Sequence, residues 1–150
     1  MTAKIFLDTN ILVYAYDPAA KQKNQTAFKL LDDLVDAGIA CISVQVLSEF
    51  FVTVTRKISP PLTLEEAETR IVNFSRIWPV FELNKIILYE AVRGVKEHQF
   101  SYWDSLIWAT SKLNQVSIIL SEDFSNEAYV EGVRFLNPLL PAFDIKSIVN

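Results

Sequence analysis

Cysteine, histidine and glycine are scarce in this chain, and each scarcity removes a class of chemistry. One cysteine, one histidine and three glycines occur in 150 residues. The lone Cys41 can close no internal disulfide, and its neighbours Ile39, Ala40 and Ile42 mark it as a buried thiol, so a reducing, cytoplasmic setting is expected. One cysteine and His98 together supply too few ligands for zinc, and a single histidine excludes a histidine-pair scheme for RNA hydrolysis. Gly38, Gly94 and Gly132 lie far apart, so no glycine-rich loop can wrap a phosphate, and no Gly-x-Ser-x-Gly elbow presents a serine nucleophile. An aspartyl-phosphate mechanism would want a second aspartate two residues after Asp8, where Asn10 stands. No stretch reaches the roughly 18 consecutive apolar residues of a membrane span. Met1 to Lys4 lead straight into strand-like sequence, so no signal peptide is expected. An excess of basic charge is missing as well. The net charge is −4, so any contact with nucleic acid must come from a local basic patch, a bound cation or a partner.

What remains is ordinary for one compact domain spanning 1–150, with 51% hydrophobic and 21% charged residues. Short apolar runs alternate with helical patterns. Strands are expected at Ala3 to Leu7, Ile39 to Ile42, Val80 to Leu83, Val116 to Leu120 and Gly132 to Leu136. Between them, Ile11 to Tyr16 reads as a short helix that Pro18 ends. Gln25 to Ala37 reads as a longer one with Phe28, Leu31, Leu34 and Val35 on its apolar face, closed by Gly38. Ser43 caps a helix carrying Glu49, Ser59-Pro60-Pro61 breaks the chain, and Thr63 with Glu66 has capping-box spacing for a helix to about Ile77. Asn84 caps a helix to His98, Ser101 or Tyr102 starts one that ends near Asn114, and a small helix is expected from Asp144. Alternation of this kind builds a parallel α/β sheet of about five strands flanked by helices, whose ligands gather at the carboxyl ends of the strands.

Four acidic residues stand out because each adjoins sequence apolar enough to bury it. Asp8 follows Ile5-Phe6-Leu7, and Glu49 interrupts the greasy run from Val44 to Val52. Asp104 lies within Tyr102 to Trp108, and Asp123 follows Ile118-Ile119-Leu120. Carboxylates in apolar surroundings are neutralised, paired or metal-bound, and four together repel unless a cation arrives. An all-carboxylate site suits Mg²⁺ or Mn²⁺, and the chemistry such a site favours is phosphodiester hydrolysis.

In this order, Asp8-Thr9-Asn10, Ser48-Glu49-Phe50, Trp103-Asp104-Ser105-Leu106-Ile107 and Ser121-Glu122-Asp123-Phe124 resemble the PIN-domain ribonucleases. The likeness is greatest to the VapC-type toxins of bacterial toxin–antitoxin pairs, and the ending Gly132 to Pro138 is similar to theirs too. The resemblance implies a PIN-like fold and a Mg²⁺- or Mn²⁺-dependent endoribonuclease acting on single-stranded or loop RNA. It also implies a homodimer restrained by a cognate antitoxin. By position, Asp8, Glu49 and Asp104 match the dependable acids of the family and Asp123 the more variable fourth, while Asn10 and Ser121 match polar positions near the metal. The stretch Ser125-Asn126-Glu127-Ala128-Tyr129 departs from the family's short turn, which leaves Glu122, Asp123 or Asn126 open as the residue completing the shell. One metal or two is equally open.

Taken singly, each acid also has a plain structural role. Asp8 would cap a helix, Glu49 pair with Arg56 or Arg93, Asp104 favour a helix start, and Asp123 sit in a solvated turn. Phe50, Phe51, Phe100, Trp103 and Trp108 are more often core or dimer contacts than base-stacking platforms. The apolar helix of Glu49 suits a subunit interface. Of the basic residues Lys21, Lys23, Arg56, Lys57, Arg70 and Arg76, only Arg56-Lys57 is placed to guide RNA. The antitoxin is expected to bring a basic or apolar segment to the acidic pocket, an arginine standing in for the metal. Two further readings remain: a catalytically silent PIN-like module that binds RNA or protein, and a metal-dependent phosphohydrolase of small phosphate esters.

Overall fold

The computed structural model describes residues 5–148. Its elements in chain order are β1 (Ile5–Leu7), α1 (Thr9–Tyr14), α2 (Gln22–Ala37), β2 (Ala40–Ser43), α3 (Val44–Arg56), α4 (Leu64–Ile77) and β3 (Val80–Phe81). They are followed by α5 (Lys85–His98), α6 (Tyr102–Leu113), β4 (Ile118–Leu120), β5 (Tyr129–Val130) and β6 (Val133–Leu136). Single 3-10 turns occupy Pro18–Ala20 and Ile145–Ser147. The six strands form one sheet in the order β3-β2-β1-β4-β6-β5, parallel except for β5. Residues Ile5 to Leu7 and Ala40 to Ser43 are buried throughout, which is why these strands read as continuous apolar runs and not as alternation. No helix among the described residues is long and apolar enough to cross a membrane.

Caps account for most of the boundaries. Ser43, Thr63, Asn84 and Ser101 each accept a backbone N–H three residues ahead, with Thr63 and Glu66 closing a full capping box. Gly38 ends α2 at φ +68°, as its position after the helix demanded. Several expectations need correction. The first helix starts at Thr9, directly behind its cap Asp8, and ends at Tyr14; Ala3, expected in the first strand, lies outside the described residues. In α2 the buried face is Ala27, Leu30, Leu31 and Leu34, while Phe28 and Val35 are exposed. The expected stripe was rotated because it counted Phe28 and Val35 and passed over the small Ala27, which is fully buried with Leu30, Leu31 and Leu34 at helical spacing.

The sheet has six strands where about five were expected. The extra strand is β5, which pairs antiparallel with β6 through a two-residue turn at Glu131-Gly132. Both turn residues have positive φ, +49° and +88°, the geometry that matches strand twist in a tight hairpin. Gly132 therefore belongs to the turn and not to the strand it was expected to open. Glu131 is held in this unfavourable conformation by ion pairs to Arg93 and Lys112.

The strand order places the functional end of the fold. The chain runs outward from β1 to β2 and β3, then returns to lay β4 on the other side of β1. The carboxyl ends of β1 and β4 therefore flank the crevice at the switch of direction. One further approach positions α6 there: Gly94 of α5 lies so close that an added Cβ would meet Ser105 Oγ at 2.2 Å and the Trp108 ring at 2.8 Å. The Ser105 hydroxyl donates to the Ala91 carbonyl at 2.6 Å, locking the same contact. Gly94→Ala must push α6 away and is expected to cost about 1–3 kcal/mol. Urea denaturation checks this, an unchanged midpoint being the contrary result.

Candidate metal centre

Asp8 sits on the last peptide of the β1 ladder, its N–H donating to the Leu120 carbonyl of β4 at 3.1 Å. This pairing drives its carboxylate into the core, where it is 4% exposed. One oxygen accepts the Thr9 N–H at 2.7 Å, so Asp8 does cap α1, and the other accepts the Ser121 hydroxyl at 2.7 Å. Ser121 extends β4 just as Asp8 extends β1. Asp104 stands in the first turn of α6 behind its cap Ser101. Asp123 lies in the loop after β4, its N–H donating to Ser121 Oγ at 3.0 Å and its carboxylate accepting from Asn10 Nδ2 at 3.0 Å. Next to it, Phe124 stacks on Phe135 of β6 with ring centroids 4.1 Å apart, anchoring that loop to the sheet.

Asp8, Asp104 and Asp123, remote in sequence, each offer one oxygen, and these three atoms lie within 4.8 Å of one another. Glu49 stands outside that set. Its Oε1 accepts the Thr9 hydroxyl at 2.7 Å, and its charge still acts on Asp104. No ion pair joins Glu49 to Arg56 or Arg93, and Arg93 is taken by Glu90, Glu97 and Glu131. Of the residues left open for the fourth position, Asp123 alone faces the other acids. Glu122 is turned away to Tyr14 and to Lys23 at 3.0 Å, and Asn126 accepts the Asn137 N–H. The contacts of Thr9, Tyr14 and Lys23 to these acids could not be read from the sequence, because their partners lie 40 to 108 residues away and no local pattern marks the pairing.

Burial pushes the Asp8 carboxyl up from 3.8 to about 7, the Ser121 and Thr9 hydrogen bonds opposing it and the charges of Asp123 and Asp104 adding to it. Burial likewise raises Asp104, and Asp123 and Glu49 raise it further. An oxygen-only cluster in which burial, and then mutual repulsion, raises Asp8 and Asp104 fits a hard divalent cation such as Mg²⁺ or Mn²⁺. Asn10 supplies a second sign, because its Oδ1 is buried with no donor beside it. The other clustered acids, Glu97 and Glu131 with His98, do not resemble such a site. Arg93, His98 and Lys112 already neutralise Glu131 and hold its carboxyl down at about 2.

Beside the three aspartates opens a cleft of about 830 Å³ whose lining includes Asn10, Asp123, Gln45, Glu49, Trp103 and Lys57. Among the aromatics, Phe50 and Trp108 are fully buried, Phe51 and Phe100 are half-buried, and Trp103 is 60% exposed. Lys57 reaches the cleft, whereas Arg56 is exposed and does not line it.

The raised Asp8 sets a pH dependence whose sign is opposite to that of an ordinary surface carboxylate. Between about pH 4 and 7 the unfolded chain ionises Asp8 while the folded protein keeps it protonated, so stability falls across that window. Asp8→Asn removes the buried charge while keeping an oxygen for the Thr9 N–H. It is expected to raise the melting temperature in EDTA at pH 8 by about 3–8 °C. Mn²⁺ affinity of the unsubstituted protein should climb with pH up to about 7, because the proton must leave for the metal to bind. Calorimetric melting and Mn²⁺ titration at several pH values test both, and a less stable Asp8→Asn protein would contradict the assignment of strain.

A family model of the PIN domain matches residues 5–128. No curated protein matches the sequence at a significant level. The chain is similar to a toxin–antitoxin complex from Klebsiella pneumoniae, with TM-score 0.64 and 17% identity over 90% of this chain and 98% of that one. It is similar to VapC20 of Mycobacterium tuberculosis, a sarcin–ricin loop cleaving toxin, with TM-score 0.66 and 20% identity over 87% and 99%. It also resembles VapBC2 from Rickettsia felis bound to a promoter DNA fragment, with TM-score 0.62 and 16% identity over 90% and 97%. At these identities the structural likeness shows a common fold, and the family match covers most of the sequence: the chain belongs to the PIN-domain family.

Proposed function

We propose that this chain is a Mg²⁺- or Mn²⁺-dependent endoribonuclease and the toxin of a toxin–antitoxin pair. The observation that carries the reading is the convergence of Asp8, Asp104 and Asp123 to within 4.8 Å at the switch point of the sheet. These three, assisted by Glu49, would hold the cation. A bound divalent cation would supply charge stabilisation to a developing phosphate oxyanion and lower the pKa of a coordinated water. Ser121 fixes the inward oxygen of Asp8, Asn10 fixes Asp123, and Thr9 fixes Glu49, so these three acids are oriented before substrate arrives. Lys57 places a positive charge in the cleft, where it can meet a phosphate.

The toxin setting is supported by the neighbours of the same fold, one a loop-cleaving toxin and two found with antitoxins. The partner would be a small antitoxin whose basic or apolar segment enters the cleft. A second copy of this chain would complete a homodimer. The exposed apolar side chains that could serve it are Val44 and Val52 of α3, the helix expected at the interface, and Ile86, Tyr89 and Val92 of α5.

Purified protein is expected to cut a panel of single-stranded and hairpin RNAs with Mn²⁺ or Mg²⁺ and not with EDTA. Asp104→Asn should reduce the rate by more than the roughly 10–100-fold cost of losing a ligand's outer partner. Cleavage unaffected by EDTA or by Asp104→Asn would sink the reading. Binding without cleavage would favour a silent PIN-like module, and equal turnover of a simple phosphate ester would favour a general phosphohydrolase.

A further inference from the structure

We propose that Tyr14 and Lys23 set the cation preference of the acidic centre by holding Glu122 away from it. They are positioning residues: both act through the Glu122 carboxylate, and neither is a ligand of the ion. The proposal rests on the divalent-metal reading above and adds a selectivity to it, Mn²⁺ or Mg²⁺ over the larger Ca²⁺.

Glu122 and Asp123 follow one another after β4, and α1 takes hold of each. Asn10 Nδ2 donates to the Asp123 carboxylate at 3.0 Å, and the Tyr14 hydroxyl donates to Glu122 Oε1. Asn10 and Tyr14 stand one turn apart on the same face of α1, roughly 6 Å at the α-helical rise. Both line the cleft beside the aspartates. The Glu122 carboxylate is therefore anchored about a helical turn from the one that joins the cluster, a separation that a change of glutamate rotamer can cover.

Three contacts keep Glu122 where it is. Besides the Tyr14 hydroxyl, Lys23 Nζ holds the second oxygen, Oε2, at 3.0 Å and lies 5.0 Å from the centroid of the Tyr14 ring. Asn24 Nδ2 donates to the Tyr14 carbonyl at 2.8 Å, tying the end of α1 to the first turn of α2. The Glu122 side chain is only 21% exposed, so losing these donors leaves a poorly hydrated carboxylate in need of another cation. The neighbouring three aspartates have no cation of their own among the described residues, and an ion bound to them is the partner within reach. With Glu122 held, that ion meets few carboxylates on rigid supports and completes its shell with water, as Mg²⁺ and Mn²⁺ require. With Glu122 free, a long and flexible carboxylate joins the shell. The added oxygens suit Ca²⁺, which takes about six to eight in a looser geometry.

The test titrates the metal-free full chain with Mn²⁺ and with Ca²⁺ by calorimetry, with no RNA present. In Tyr14→Phe/Lys23→Gln the affinity for Ca²⁺ is expected to rise about tenfold while that for Mn²⁺ changes by less than about threefold. Lys23→Gln alone, an exposed substitution that spares the core, should move the ratio the same way by about threefold. Lys23→Arg should leave the ratio as it was. Both ions carry two charges, so loss of the lysine charge by itself shifts the two affinities alike and cancels in the ratio. Adding Glu122→Gln to the double variant should restore the original preference. A loosened loop would instead weaken both ions, and Glu122→Gln would not repair it. A ratio unchanged in the double variant, or a changed ratio that Glu122→Gln fails to restore, overturns the proposal. The two readings fail separately. RNA cutting with an unchanged ratio removes the selectivity role alone, and the expected ratios in a protein that never cuts remove the nuclease alone. A chain that binds neither ion removes both.

Discussion

Pairing β1 directly with β4 forces the carboxylate of Asp8 out of water, and the rest of the functional end is arranged around that burial. A lone charge there would be intolerable, so the surroundings provide what water would have: the Thr9 N–H, the Ser121 hydroxyl, and a proton held to about pH 7. The strain can persist because the strands beneath it are immovable. Ile5, Phe6, Leu7, Ile119 and Leu120 are wholly buried in a continuous parallel ladder, and shifting any one of them would disturb the whole core. Stability in the sheet is what permits instability at the carboxyl ends of its central strands.

The short helix α1 converts that one buried group into an organised site. Within Asp8 to Tyr14, side chains reach two remote parts of the chain: Thr9 to Glu49 of α3, and Asp8, Asn10 and Tyr14 to Ser121, Asp123 and Glu122 just after β4. Each contact is a hydrogen bond between groups remote in sequence. The acids are therefore held by the fold before any ligand binds, at no further ordering cost. Outside this helix, two packing contacts complete the placement. Phe124 against Phe135 anchors the loop of Asp123, and Gly94 against Ser105 and Trp108 brings in the helix of Asp104.

Charge in this protein is distributed by purpose. Arg93, Lys112 and His98 are committed to Glu90 and Glu131, where they hold the strained β5–β6 turn against α5 and α6. Lys23 is committed to Glu122. Among the described residues the three convergent aspartates have no comparable cation, and this separates the two acidic groups: one is neutralised by the chain's own side chains and the other is not.

Local interactions made much of this legible in the sequence. Caps at Ser43, Thr63, Asn84 and Ser101, the glycine at the end of α2, and the buried apolar runs of β1, β2 and β4 are decided within a few residues, so the α/β alternation and the four candidate acids could be read directly. Edges and faces could not be read so well. The two-residue β5 depends on a partner strand, and the buried face of α2 is centred on Ala27, Leu30, Leu31 and Leu34, a choice made by what the helix packs against. Which of Glu122, Asp123 and Asn126 faces the other acids was decided only by Tyr14, Lys23 and Asn137 capturing the other two. The sequence by itself determined which residue types were available and where strands ended. Only the tertiary structure decided which carboxylates meet, because their meeting is set by strand order and by hydrogen bonds spanning the chain.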